Sequence, residues 1–221
     1  MRKRSMWAAL LATVVALPSL ALAAVVVHNT GVDTSNVLVA PGAQASFWTL
    51  SAAPSGATES IGDLPFRYIN GAYFADTGSA AWVSPQSSGN AGQLGPYTYD
   101  LVIDLAGVDP AWVSLSGTFG TDNEGAIWLN ANAPVATTGF ADFGVPTPFT
   151  IDSGFVPGLN TIHVQVSNDG DPTAFVVAFT SVAASPVAVP VPATSWPTLA
   201  ALAWLLAVMG SLPYRKIRTT R

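Results

Sequence analysis

The stretch "GTFGTDNEGAIWLN" holds the densest group of chemically capable side chains in this 221-residue chain: Asp122, Asn123 and Glu124 in a glycine-flanked turn, then Trp128. Two chemistries suit them. Oxygen ligands bunched in a turn suit calcium, whose shell of roughly six to eight oxygens is completed by backbone carbonyls and distant carboxylates. Asp33 in "NTGVDTSN" and Asp169 and Asp171 in "SNDGDP" are turn carboxylates of the same kind. Asp33, Asp122, Asp169 and Asp171 are therefore the candidate metal set, provided the fold brings them together. The ligand spacing of an EF-hand is absent. The competing role for each of these residues is to cap its own turn through side chain to backbone bonds.

The second chemistry is carbohydrate recognition. An indole stacks on a sugar face while carboxylate and amide groups hydrogen-bond the hydroxyls, which makes Asp122, Asn123, Glu124 and Trp128 the candidate ligand-binding residues. Any one tryptophan can instead be packing under a loop or in a second layer. Catalysis is disfavoured. Glycoside hydrolysis needs two carboxyl groups about 5 to 9.5 Å apart across a cleft, and Asp122 and Glu124, two residues apart on one turn, do not suit that. His28 and His163 are the only histidines, and no Gly-x-Ser-x-Gly is present, so neither a metal hydrolase nor a serine hydrolase constellation can be drawn. No catalytic residue is assigned.

The elements that must position these groups are strands. No long stretch has a 3.6-residue period, and short alternating runs recur between Gly, Pro, Asn and Asp, an all-β pattern. In "YTYDLVIDL", residues Tyr97, Tyr99, Leu101, Ile103 and Leu105 share one face, opposite Thr98, Asp100 and Asp104. Val113, Leu115 and Phe119 share a parity, as do Ile162, Val164 and Val166, with His163 pointing out. Trp128 is out of phase with Ile127 and Leu129 and so points away from their face. "AFVVAFTSV" is apolar on both faces, which predicts a central strand buried on both sides or covered by a loop. Asp169-Gly170 reads as a hairpin turn, and residues 51–70 as a long loop of the kind that often borders a ligand site. About eight or nine strands are best explained by two packed antiparallel sheets in a jelly-roll sandwich, with an immunoglobulin-like sandwich as the alternative.

Charge narrows the partners. Three of the eight basic residues lie at positions 2 to 4 and four at 215 to 221, so between Ala24 and Thr194 Arg67 alone faces all 13 carboxylates, a balance of −12. Phosphate binding needs clustered Lys and Arg, so nucleic acid is not an expected partner. There is no cysteine, which excludes disulfides, thiolate zinc and a cysteine nucleophile.

Both ends read as targeting segments. "MRKR", the apolar "WAALLATVVAL" and the small residues Ala21 and Ala23 form a signal peptide over 1–23, cleaved before Ala24. The sandwich is expected over 24–183, followed by a Pro-rich spacer over 184–195 and a tail over 196–221. Trp196 to Tyr214, 19 residues, is about 28 Å long as a helix, enough to cross a bilayer core with an aromatic at each rim and a basic cluster beyond.

Two resemblances follow from these residues. "GTDNEGAIWLN" with "TPFTIDSGFVPGLNTIHVQVSNDGDPTAF" resembles the core of galactose-binding-like jelly rolls, in which a Gly-x-Asn-x-Ile-x-Val-x-Val-x-Asn strand is matched here by Gly158, Asn160, Ile162, Val164, Val166 and Asn168. Ala131 stands where that family has Gly. The resemblance implies carbohydrate binding, with structural calcium in some members. The tail is similar to bacterial sorting signals of the PEP-CTERM and IPTL-CTERM type, with the motif at Pro197, Thr198 and Leu199, Trp196 in place of the first residue, and the basic cluster at Arg215, Lys216 and Arg218. That resemblance implies an exosortase-like membrane processing enzyme as partner. It implies export, a transient inner-membrane anchor through the helix, and final placement at the cell surface or in an extracellular polysaccharide matrix. A non-catalytic surface protein that binds exopolysaccharide is the expected function. The alternative is a structural or adhesive protein whose acidic faces are bridged by calcium.

Overall fold

The computed structural model describes residues 24–186, and Trp204 alone beyond them. Ala21 and Ala23 of the expected cleavage site, the spacer from 187 onward, and the motif residues Pro197, Thr198, Leu199, Arg215, Lys216 and Arg218 lie outside the described residues. Among the described residues no helix is long and apolar enough to cross a membrane.

Among the described residues, ten strands make two five-stranded sheets. They are β1 (Thr49–Ala52), β2 (Phe66–Arg67), β3 (Val83–Ser84), β4 (Gly95–Asp104), β5 (Ser114–Asp122), β6 (Gly125–Leu129), β7 (Ala136–Thr138), β8 (Thr147–Ile151), β9 (Leu159–Asn168) and β10 (Ala174–Ala183). The first sheet has the order β1-β4-β9-β6-β7 and the second β2-β3-β10-β5-β8, with every pair antiparallel. With the edge strands β1 and β2 set aside, successive strands from β3 to β10 alternate between sheets except at the β6–β7 hairpin. That is jelly-roll connectivity. An immunoglobulin-like sandwich, with several hairpins between consecutive strands, is ruled out by the same order.

Strand parity sets the inner faces. Tyr97, Tyr99, Leu101, Ile103 and Leu105 are all buried, as are Val113, Leu115 and Phe119, and Ile162, Val164 and Val166. They meet across the sandwich with Trp48, fully buried, whose Nε1 donates to the His28 carbonyl at 3.0 Å. Each such side chain contributes roughly 1.5–3 kcal/mol by leaving water. β10 lies inside the second sheet, and its first half is buried on both faces: Phe175 and Val177 enter the main core, while Ala174, Val176 and Ala178 lie beneath the 68–82 segment. Its doubly apolar sequence reflects that covering loop.

Three expectations need correction. Asp169-Gly170 does not form a hairpin, because β9 and β10 belong to different sheets and the turn crosses between them. The 51–70 stretch is not wholly loop, since it contains the end of β1 and all of β2. The sandwich's bonds continue past 183, with Asp109 N donating to the Ser185 carbonyl at 3.0 Å and Val108 bridging Pro186.

The family-like strand motif has a structural explanation. Asn160 is 1% exposed, and its amide spans Val156 N, Val156 O and Gly158 O at 2.7 to 3.0 Å. Asn130 adopts φ +51 and its Oδ1 accepts from Thr161 N at 2.9 Å, so the left-handed residue of that turn is Asn130, which makes a glycine at Ala131 unnecessary.

Candidate functional site

The Asp122-Asn123-Glu124 turn carries the chain from β5 in the second sheet to β6 in the first. Its side chains therefore go to opposite sides of the sandwich. Asp122 is buried, with Oδ2 accepting from the Tyr73 hydroxyl at 2.7 Å and Oδ1 from Asn123 Nδ2 at 3.0 Å. Burial pushes its carboxyl above the usual carboxylate range, and the Tyr73 hydrogen bond partly offsets this by favouring the anion. The Tyr73 phenol is pushed far upward, first by burial and then by the Asp122 bond. Asn123 Oδ1 accepts from Asp169 N at 2.9 Å, and its own backbone N donates to the Ser167 carbonyl at 3.0 Å. Glu124 is exposed and points to the other side.

The expected metal set is not assembled. Among the described residues no three His, Cys, Asp or Glu side chains converge to hold a metal ion. Asp33 Oδ1 accepts from Ser35 N at 2.8 Å and Val37 N at 3.0 Å, capping its own turn. Asp171 Oδ1 accepts from Ala91 N at 3.0 Å. The turns bearing Asp122 and Asp169 are joined by the Asn123 amide, which donates to Asp122 Oδ1 and accepts from Asp169 N. These carboxylates are spent on backbone and side-chain donors, which is the capping role turn residues commonly play.

On the outer face of the first sheet, residues from three strands form a row. Asp100 on β4 pairs with His163 on β9, which pairs with Trp128 on β6. His163 Nδ1 lies 2.6 Å from Asp100 Oδ1, and its ring stacks on the indole at 5.1 Å between centroids and 21° between planes. His163, expected only to point outward from its strand, is held on both sides. Ser51 Oγ donates to Asp100 Oδ1 at 2.8 Å, so serine and histidine share the aspartate without touching each other, and no nucleophile–base pair exists there. In the neighbouring row a shallow depression of 510 Å³ is lined by Glu124, Gln165, Thr137, Thr138, Ser167 and Pro96, with Gly125 and Ala126 as its floor. Glu124 and Trp128 are thus on one face and bracket three residues of β6, Gly125 to Ile127. Asp122 and Asn123 do not reach it.

A second concave feature was not expected from the sequence. The segment 68–82 packs over the outer face of the second sheet on Ala174, Val176 and Ala178 and leaves among its own residues an open depression of 430 Å³ lined by Tyr68, Ile69, Asn70, Tyr73, Phe74, Asp76 and Trp82. Tyr73 packs on Trp82 at 4.3 Å and near Tyr68 at 6.1 Å, and Phe74 packs on Trp82 at 4.9 Å. Gly120 on β5 is required beneath them, because a Cβ there would lie 2.6 Å from Phe74 and 2.9 Å from Trp82. The legible signal was the aromatic density of "YINGAYFADTGSAAW", which has no strand period. Asp122 enters this side of the molecule as the acceptor that fixes Tyr73.

No family model matches the chain, and no curated protein matches it. Among solved structures, one described as a family 35 carbohydrate binding module from an environmental isolate aligns at 12% identity with a TM-score of 0.34, covering 66% of this chain and 100% of that one. At that level the likeness carries no weight in assigning fold or function, both of which rest on the chain's own sheets and side chains.

Proposed function

We propose that this protein is a non-catalytic, exported carbohydrate-binding sandwich of the galactose-binding-like type, delivered to the cell surface or an exopolysaccharide matrix by its C-terminal tag. The observation that carries the reading is the Trp128 indole, stacked on an Asp100-anchored His163 beside a depression lined by Glu124, Gln165 and two threonines. A sugar ring lies against the exposed part of the indole, and its hydroxyls meet the carboxylate, amide and hydroxyl groups beside it. Asp100 and His163 hold the indole before ligand arrives, which lowers the ordering cost of binding. The absence of a catalytic role is supported by the separation of Asp122 from Glu124 onto opposite sides of the turn.

Signal cleavage behind Ala23, a transient membrane anchor and processing by an exosortase-like enzyme complete the proposal. They are supported by the sequence at both ends. Mass spectrometry of the finished protein tests them: a mature N-terminus at Ala24 and loss of the basic tail are expected, and an intact Arg221 would mean a permanent membrane span. For the ligand, a glycan array followed by calorimetry on the best hit is decisive. Trp128→Ala is expected to weaken binding at least tenfold, about 1.4 kcal/mol. An array without signal, or a Trp128→Ala variant that binds like the wild type, would overturn the reading.

A further inference from the structure

We propose that the outer face of the first sheet selects a cationic glycan, a chain of hexosamine units whose amines are free rather than acetylated. This rests on the reading of that face as a sugar site and names the class of sugar it takes.

The site runs lengthwise along β6. Glu124, Ala126 and Trp128 share a parity and face outward, while Ile127 and Leu129 enter the core. The cross-strand neighbours of Ala126 are Gln165 on β9 and Thr137 on β7. A methyl between two longer polar side chains leaves a shallow channel with the indole at one end and the Glu124 carboxylate at the other. At a rise of roughly 3.3 Å per residue, the step from Glu124 to Trp128 is about 13 Å, the length of roughly two or three linked pyranose rings. A glycan with one ring on the indole therefore brings the substituents of a later ring to Glu124.

Charge then selects among glycans. Glu124 is exposed, and among the described residues it makes only main-chain hydrogen bonds, its carbonyl accepting from Ser167 N at 2.8 Å. Asp169, also exposed, stands beside the same end of the depression, its Oδ1 3.4 Å from Ser167 Oγ. Asp100 stands at the indole end, where it holds His163, the one titratable base on this face. The only Lys or Arg between residues 24 and 194 is Arg67. It belongs to β2 of the second sheet, where it donates to Asp76 Oδ2 at 2.9 Å and the Val39 carbonyl at 2.6 Å. A face with carboxylates at both ends and no Lys or Arg repels uronates and sulfated sugars, whose recognition calls for Arg or Lys. A neutral chain would leave Glu124 without a charged partner. An ammonium substituent supplies one, and the −12 balance of the 24–194 segment concentrates a polycation at the surface.

The test is calorimetry on the full chain with hexamers of β-1,4-linked glucosamine, of its N-acetylated form and of galacturonic acid, in mildly acidic, low-salt buffer that keeps the carboxylates ionised. The glucosamine hexamer is expected to bind about tenfold more tightly than the acetylated one, as two exposed ion pairs would give, and the uronate not to bind. That preference is expected to collapse at about 1 M salt, where the Debye length is about 3 Å. Glu124→Gln, a near-isosteric change at an exposed position, is expected to weaken the glucosamine hexamer about threefold and the acetylated one less. Asp152→Asn removes the same charge from an exposed position just past β8 in the second sheet and is expected to alter neither. An acetylated hexamer that binds as tightly as the free amine, or any binding of the uronate, would overturn the cationic class and leave the sugar site standing if Trp128→Ala still abolishes binding. Hexalysine that binds as tightly as hexaglucosamine, or an equal loss in Asp152→Asn, would trace the effect to net charge and overturn it too. Binding of no hexamer also overturns it, and the sugar reading falls with it only if the glycan array is silent.

Discussion

The outer faces of the two sheets are built differently. On the first sheet, Asp100, His163, Gln165 and Trp128 stand on a face that no segment among the described residues covers, and their contacts run from strand to strand. On the second, Trp82, Ala174, Val176 and Ala178 are buried beneath a segment that adds Tyr68, Tyr73 and Phe74 as a small second core. An open sheet face keeps its side chains in register with the strands, so its chemistry is spelled in alternating residues. A covered face depends on what the covering loop brings, and its chemistry is assembled from residues distant in sequence. The cost of damage differs accordingly: the first face can lose a side chain with little effect on folding, and the second cannot.

The largest break in that contrast is Trp82→Ala, which removes a ring 2% exposed and is expected to cost about 3–5 kcal/mol in urea unfolding. Gly120→Ala comes next, since its methyl would meet Phe74 and Trp82; a loss of about 1–3 kcal/mol with altered near-ultraviolet circular dichroism is expected.

Tyr73→Phe removes the hydroxyl that partners Asp122 and is expected to cost about 1–3 kcal/mol at neutral pH. The sign of its pH dependence follows from the raised Asp122 carboxyl. A carboxyl raised on folding binds its proton more tightly in the native state, so the stability it contributes is present below the unfolded carboxylate range and is lost as pH rises through the folded value. Without the Tyr73 hydroxyl the anion is still less tolerated. The melting gap between Tyr73→Phe and wild type should therefore widen from acid to neutral pH; a gap independent of pH would remove Asp122 as its cause.

On the open face, Asp100→Asn is expected to change stability by only about 0.2–1 kcal/mol while weakening sugar binding through a looser His163. The smallest effect concerns calcium. Since the four turn carboxylates are not brought together, excess calcium is expected to leave the melting temperature unchanged, and a clear rise would restore a metal site.

Much of the architecture was legible because it rests on a local rule. The parity of Tyr97 to Leu105 and of Ile162 to Val166 assigned inner and outer faces, and the phase of Trp128 placed it on the open face. The doubly apolar β10 called for burial on both sides or for a covering loop, and the sequence did not choose between them. The metal set failed because type and turn context do not reveal a partner: Asp33 and Asp171 look free in sequence, yet each accepts from backbone amides. Asp122 and Trp128 stood in one candidate ligand set because they are close in sequence, yet the turn that carries Asp122 sends it to the Tyr73 side and Glu124 to the other.

What the sequence determined by itself is whatever repeats every two residues or follows from composition: strands, their buried faces, the −12 balance that disfavours phosphate partners, and an outward indole. Tertiary structure alone decided the pairing of the sheets, the descent of 68–82 onto the second of them, and the bond between Tyr73 and Asp122, 49 residues apart. The physical reason is range. Side-chain alternation is set by the backbone of each strand, whereas a contact across a long loop exists only once the whole sandwich has closed and brought its ends together.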